Sequence, residues 1–134
     1  MPAEVPRPDE VLQPGWRDWS FAELSYRVAS AFFNGSVPEQ DLREMVGQAI
    51  HFDAPLVKIA EGMNILELFH GPSLAFKDFG ARFMARLMGW LTREDDRELT
   101  VLVATSGDTG GAVASAFHRV TGTRVVVLYP SGKV

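Results

Sequence analysis

The chain has 134 residues, 46% of them hydrophobic, with a formal net charge of −4 and a pI near 5.3. That suffices for one modest core, and no Lys/Arg cluster is dense enough to track a nucleic-acid backbone. Cysteine is absent, which excludes a disulfide framework, a thiolate metal site and a cysteine nucleophile.

The first stretch, "MPAEVPRPDE", is proline-rich and acidic, without the basic start and apolar run of a secretory signal. No stretch reaches the ~18 consecutive apolar residues of a membrane span, so the expectation is a soluble, cytoplasmic protein. Residues 1–15 read as irregular, punctuated by Pro2, Pro6, Pro8 and Pro14-Gly15. "SFAELSYRVASAFF" opens with Ser20 and Glu23 at capping-box spacing and predicts a helix that stops at Asn34-Gly35. "SVPEQDLREMVGQAI" repeats the device with Ser36 and Glu39, and places Pro38 early in the first turn. These two helices define an N-terminal helical segment over 1–50.

From Leu56 the pattern changes. "LVKIA" and "NILELF" are short β-like runs separated by Glu61-Gly62, which predicts a hairpin. After His70-Gly71-Pro72-Ser73, helical periodicity runs from Phe76 to Leu91, with a polar arc of Asp78, Arg82 and Arg86. Lys77 lies outside that arc, on the bearing of Ala81, Met84 and Met88. "LTVLVA" (99–104) is a buried-strand run, "TSGDTGG" a glycine-rich turn, "AVASAFHRV" a helix and "RVVVLY" (124–129) a second buried strand. Strand, helix and strand in this order make a βαβ unit, and the continuous apolar runs predict a parallel sheet covered on both faces. The fold class is therefore α/β, a three-layer αβα parallel-sheet region over 51–134. Its last predicted strand has no covering helix after it, so the region reads as incomplete and the chain as a piece of something longer. With those strand faces bare, the stretch by itself is expected to aggregate or pack loosely, and to be inactive.

Two constellations could carry chemistry. Lys77 either lays its stem along apolar neighbours and lifts the ammonium into water, or offers a desolvated amine for carbonyl chemistry. Position leaves both open. "ATSGDTGGAV" (104–113) either makes a tight strand-to-helix connection capped by Asp108 or Thr109, or presents backbone N–H groups and a helix N-terminus to an anion. It matches neither G-x-x-x-x-G-K-[ST] nor G-x-G-x-x-G, and Ser106 lies in no nucleophile elbow. Asp108-Thr109-Gly110 is the aspartic-protease tripeptide, but the alanine-rich helix that follows is foreign to that all-β site. His51, His70 and His118 lack metal-ligand spacing; His118 suits a helix C-terminus and His70 a hydrogen bond holding the turn that it precedes.

"LELFHGPSLAFKDFGARFMARL", followed by "ATSGDTGGAVASAF" and "VVVLYPSGKV", resembles the N-terminal portion of the threonine synthases. These are pyridoxal-phosphate enzymes of the tryptophan-synthase-β fold type (PLP fold-type II). The resemblance implies that Lys77 forms the internal aldimine with the cofactor. It implies conversion of O-phospho-L-homoserine and water to L-threonine and phosphate, with Lys77 as general base and acid. Phe76 and Asp108 would line the cofactor, and the substrate carboxylate would sit on the turn of Ser106, Gly107, Asp108, Thr109 and Gly110. Ser73 replaces the commoner threonine of that motif, and Asp108 stands where wider relatives carry asparagine. The family's phosphate cradle and pyridine-nitrogen partner come later in its sequence. Other readings are a related phospho-lyase releasing a keto acid, or a non-catalytic relative that binds a complementing chain.

Overall fold

Ser20 starts the first long helix as its spacing predicts, its hydroxyl accepting the Glu23 N–H at 3.1 Å. That helix follows a short α1 (Pro8–Val11), within the stretch read as irregular, and a 3-10 turn (Trp16–Asp18) just beyond it. The computed structural model describes residues 5–105 and 107–132, and the chain divides into two compact units, Met1–His51 and Phe52–Val134.

In the first unit, α2 (Phe21–Phe33) ends at Asn34, whose left-handed backbone closes the last turn onto the Ser30 carbonyl. The second capping box does not form. Helix α3 (Glu39–Ala49) has Pro38 at its N-cap, outside the first turn, and Ser36 donates to the Phe33 carbonyl at 2.6 Å. Ser36 thus finishes one helix instead of starting the next. Leu42, Met45, Val46 and Ala49 of α3 are buried, as is Tyr26 of α2. Glu23 joins the helices by accepting from Arg27 at 2.6 Å and Arg43 at 2.7 Å. The Arg43 guanidinium lies 3.7 Å from the Tyr26 ring centroid, close enough for a cation–π contact.

In the second unit, β1 (Leu56–Ala60) and β2 (Met63–Leu66) form the expected antiparallel hairpin around Gly62 (φ +71°). Both strands are exposed throughout. Next come α4 (Lys77–Leu91), β3 (Leu99–Ala104), α5 (Asp108–Phe117) and β4 (Thr123–Leu128). Strands β3 and β4 pair in parallel from Leu99↔Thr123 to Ala104↔Leu128, completing the βαβ unit. The core is a seam of small side chains: Ala81 and Ala85 of α4 cluster with Ala112, Val113, Ala116 and Phe117 of α5. Val101, Val103 and Val125 pack against it from the strands.

The other face of the sheet, with Leu102 (64% exposed), Val126 and Leu128, is open to solvent, in keeping with the bare strand faces expected of this stretch by itself. The polar arc of α4 does not uniformly face water. Asp78 is its most buried member, at 0% exposure, beside the buried Ala81 and Ala85. Helical periodicity sorts side chains by polarity and cannot see a buried partner.

Ala85 has no exposed surface, so Ala85→Leu should overpack the seam and cost about 1–3 kcal/mol. An unchanged denaturant midpoint would contradict the close contact. A second expectation concerns acid. Arg43 first, then Arg27, holds the Glu23 carboxyl below its ordinary 4.5, and Arg43 does the same to Glu39. A depressed folded-state pKa contributes stability above the unfolded value that is lost as pH falls through the folded one. Thermal midpoints of the helical unit should therefore drop as pH falls below about 4.5, and Glu23→Gln should flatten that dependence.

Candidate active site

The approach to Lys77 is built from a short motif. In "HGPSLAFKD" the Leu74 N–H donates to the Gly71 carbonyl at 3.0 Å, closing a turn. Leu74 itself adopts a left-handed conformation at φ +59°. Gly71 is required by proximity, because a Cβ there would lie 2.7 Å from the Asp78 Cβ. Asp78 reaches back across the turn, its two carboxylate oxygens accepting the Ser73 N–H and the Ser73 hydroxyl, each at 2.8 Å. Glycine, serine and aspartate are thus one locking device.

Lys77 precedes that aspartate as the first residue of α4, with Phe76 at the N-cap. It is half-buried, and its Nζ lies 4.6 Å from the Phe76 ring centroid. Lys58 offers a contrast, since its ammonium is held by Glu61 at 2.7 Å. Among the described residues the Lys77 ammonium has no carboxylate partner. Phe76 is 60% exposed. His70 bonds Glu67 at 2.7 Å and stacks on Phe69, so it braces the approach to the turn and not the turn itself.

The glycine-rich turn is shorter than its sequence suggests. Helix α5 begins at Asp108, so Thr109 and Gly110 are already helical. Neither Asp108 nor Thr109 caps it; the N-cap is Gly107, which has no side chain to do so. Thr105 does this work, its hydroxyl oxygen accepting the Gly107 and Gly110 N–H groups at 3.2 Å each. Its own N–H donates to the Leu128 carbonyl at 2.9 Å, tying the turn to the end of β4. Sequence reading missed Thr105. The available signal was a hydroxyl residue leaving a strand just before a helix start.

The first-turn N–H groups of Asp108 and Thr109 have no intrahelical acceptor, as at any helix start, and both residues are exposed. Gly107 is exposed too, and a Cβ added there would meet nothing within 4 Å. Gly110 is the opposite case, since its Cβ would collide with the Thr105 methyl and lie 3.3 Å from Val127. Ser106 lies outside the described residues. Lys77 and Asp108 are thus the first residues of two helices that pack through the alanine seam. No hydrogen bond or ion pair joins Lys77 to the turn among the described residues. Among those residues no three His, Asp or Glu side chains group to hold a metal ion, and no helix is long and apolar enough to cross a membrane.

The two glycines should part company on substitution. Gly110→Ala forces Thr105 aside and should cost about 1–3 kcal/mol, whereas Gly107→Ala should leave stability within about 0.5 kcal/mol. Thr105→Val removes the cap and should cost about 1–2 kcal/mol. Chemical unfolding of the three variants checks these values, and equal midpoints for the two glycine variants would refute the geometry.

Residues 1–50 match the family described as "Threonine synthase N terminus", a span that nearly coincides with the first compact unit. Threonine synthase of Serratia marcescens is 50% identical over 114 residues, which are 85% of this chain and 26% of that protein. That of Escherichia coli is 46% identical over the same shares. Among solved structures, PLP-bound threonine synthase from Brucella melitensis superposes with a TM-score of 0.86 at 35% identity. The match covers 100% of this chain and 30% of that one. Threonine synthase from Escherichia coli superposes with a TM-score of 0.80 at 43% identity, over 99% and 31%. The chain spans between 26% and 31% of the length of these relatives. In sequence and in fold, it corresponds to the N-terminal part of the threonine synthases.

Proposed function

We propose that this chain supplies the lysine-bearing part of a cytoplasmic threonine synthase, which converts O-phospho-L-homoserine and water to L-threonine and phosphate with pyridoxal phosphate. The observation that carries this reading is the state of Lys77. Its amine stands at the start of a helix behind a locked turn, with an aromatic ring for a neighbour and, among the described residues, no carboxylate to occupy it. An amine so placed is available to a carbonyl carbon.

The residues present suit pyridoxal phosphate. Lys77 would hold its carbonyl carbon, the exposed Phe76 ring would flank it, and the exposed Asp108 would meet its polar edge. When bound, the cofactor supplies an electron sink for carbanions formed at the substrate carbons.

The chain's own groups then have separable tasks. The N–H groups of Asp108 and Thr109, with the rest of the turn from Ser106 to Gly110, hold the substrate α-carboxylate at the positive end of α5. Gly107 leaves space for the backbone to come close to that ligand. Lys77 Nζ takes the proton from the substrate α-carbon and then one from the β-carbon. Phosphate leaves the γ-carbon, water adds its oxygen at the β-carbon, and Lys77 returns protons to the carbon skeleton.

Treatment of the protein with pyridoxal phosphate and borohydride should fix the cofactor to the peptide containing Lys77. Recovery of the label on Lys58 or Lys133 with none on Lys77 would overturn the assignment. In the complete enzyme, Lys77→Ala should lower kcat for phosphate release by at least about 10²–10⁴-fold, and Lys77→Arg should fare no better because a guanidinium offers no free amine. Gly107→Val starts from a Cβ that meets nothing within 4 Å beyond its chain neighbours. It should raise KM for phosphohomoserine sharply, and an unaltered KM would remove the turn from substrate binding.

A further inference from the structure

Asp78 is a buried charged residue where a helix of this kind does not need one. It is 0% exposed and, alone among the described charged residues, fully buried. An aspartate in the first turn ordinarily caps its own helix or meets its dipole from solvent. Here both oxygens turn away to Ser73, five residues upstream. Burying a carboxylate is a poor way to gain stability, because desolvation offsets most of what its hydrogen bonds contribute. What the arrangement secures is conformation. The turn it closes contains Leu74 at φ +59°, a backbone state that a leucine holds only when its surroundings over-determine it. Gly71 is pressed against the same carboxylate so tightly that a Cβ has no room. Every one of these constraints lies within six residues of Lys77.

We infer that Asp78 is the positioning residue for Lys77: by holding the Ser73 N–H and hydroxyl, its carboxylate fixes the backbone at the start of α4 and so the direction in which the Lys77 amine is presented. The inference rests on the reading of Lys77 as the residue that takes the cofactor. It assigns Asp78 no contact with substrate or cofactor. Ser73 is the other half of the device, and its hydroxyl is the part of the lock that can be removed most gently.

The test compares Ser73→Ala, which loses one of the two hydrogen bonds, with Ser73→Thr, which keeps the hydroxyl. Asp78→Asn is the third variant, since its amide can accept from only one Ser73 donor. For each, the rate of borohydride trapping of pyridoxal phosphate on the Lys77 peptide is measured across pH, at a temperature where circular dichroism shows full folding. Labelling of Lys58, paired at the surface, serves as the internal control. Ser73→Ala and Asp78→Asn should trap at Lys77 at least tenfold more slowly with Lys58 unchanged, and Ser73→Thr should recover the wild-type rate. Variants that lose thermal midpoint but trap normally would show a merely structural lock and overturn the inference. So would Ser73→Thr trapping as slowly as Ser73→Ala. Should Asp78→Asn not fold, the two Ser73 variants decide. Absence of trapping on Lys77 in the wild type would bring down the functional reading and this inference with it, whereas wild-type trapping with unaffected variants overturns the inference alone.

Discussion

The close contact of α4 with α5 is the constraint on which the second unit depends. Helix α4 meets the strand–helix–strand unit chiefly through α5, and the contact is made by Ala81, Ala85, Ala112 and Ala116. Small side chains let two helix backbones approach, so short distances replace large buried surfaces as the source of specificity. Farther along α4, a Cβ on Gly89 would come within 2.8 Å of a Val120 methyl, so closeness is required there as well. The consequence reaches the chemistry. Lys77 lies one turn before Ala81, and Asp108 one turn before Ala112, so the residues that begin the two helices are anchored by the same seam.

Those helix starts solve one problem in two ways. Neither has a side-chain cap from its own N-cap residue, Phe76 or Gly107. In each case an upstream hydroxyl residue provides order, Ser73 through the Asp78 carboxylate and Thr105 directly. The aspartates that result are unlike. Asp78 is buried with both oxygens engaged, while Asp108 is exposed and has no hydrogen bond or ion pair among the described residues. One serves the backbone and the other faces solvent.

Much of this was legible in the sequence. "LTVLVA" marks β3 to the residue, because an apolar run between a charged loop and a glycine turn has few other uses. The Ser20 start, the hairpin around Gly62 and the parallel βαβ unit follow from equally local signals. Lys77 stood out because its bearing disagreed with its charge. The misses have a common cause in partners that periodicity does not reveal. Asp78 was read only as a member of a polar arc, since its acceptor role depends on a turn folding Ser73 back over it. Ser36 was read as a helix start because its spacing to Glu39 fits, yet the Phe33 carbonyl was the nearer partner. Thr105 escaped because the glycines beside it drew the attention, although the hydroxyl is what orders them.

The β1–β2 hairpin has a consequence for motion. All its residues are exposed, and its register slips between Lys58 and Ala60. Two strands without a packed face are marginal in water, and segments with few buried contacts open at a small fraction of the global unfolding free energy. Amide hydrogens in residues 56–66 will therefore exchange with solvent well before those of the buried face of α5. Opening is graded along the chain, fastest in the segment that leads into the turn before Lys77 and slowest in the alanine seam behind it.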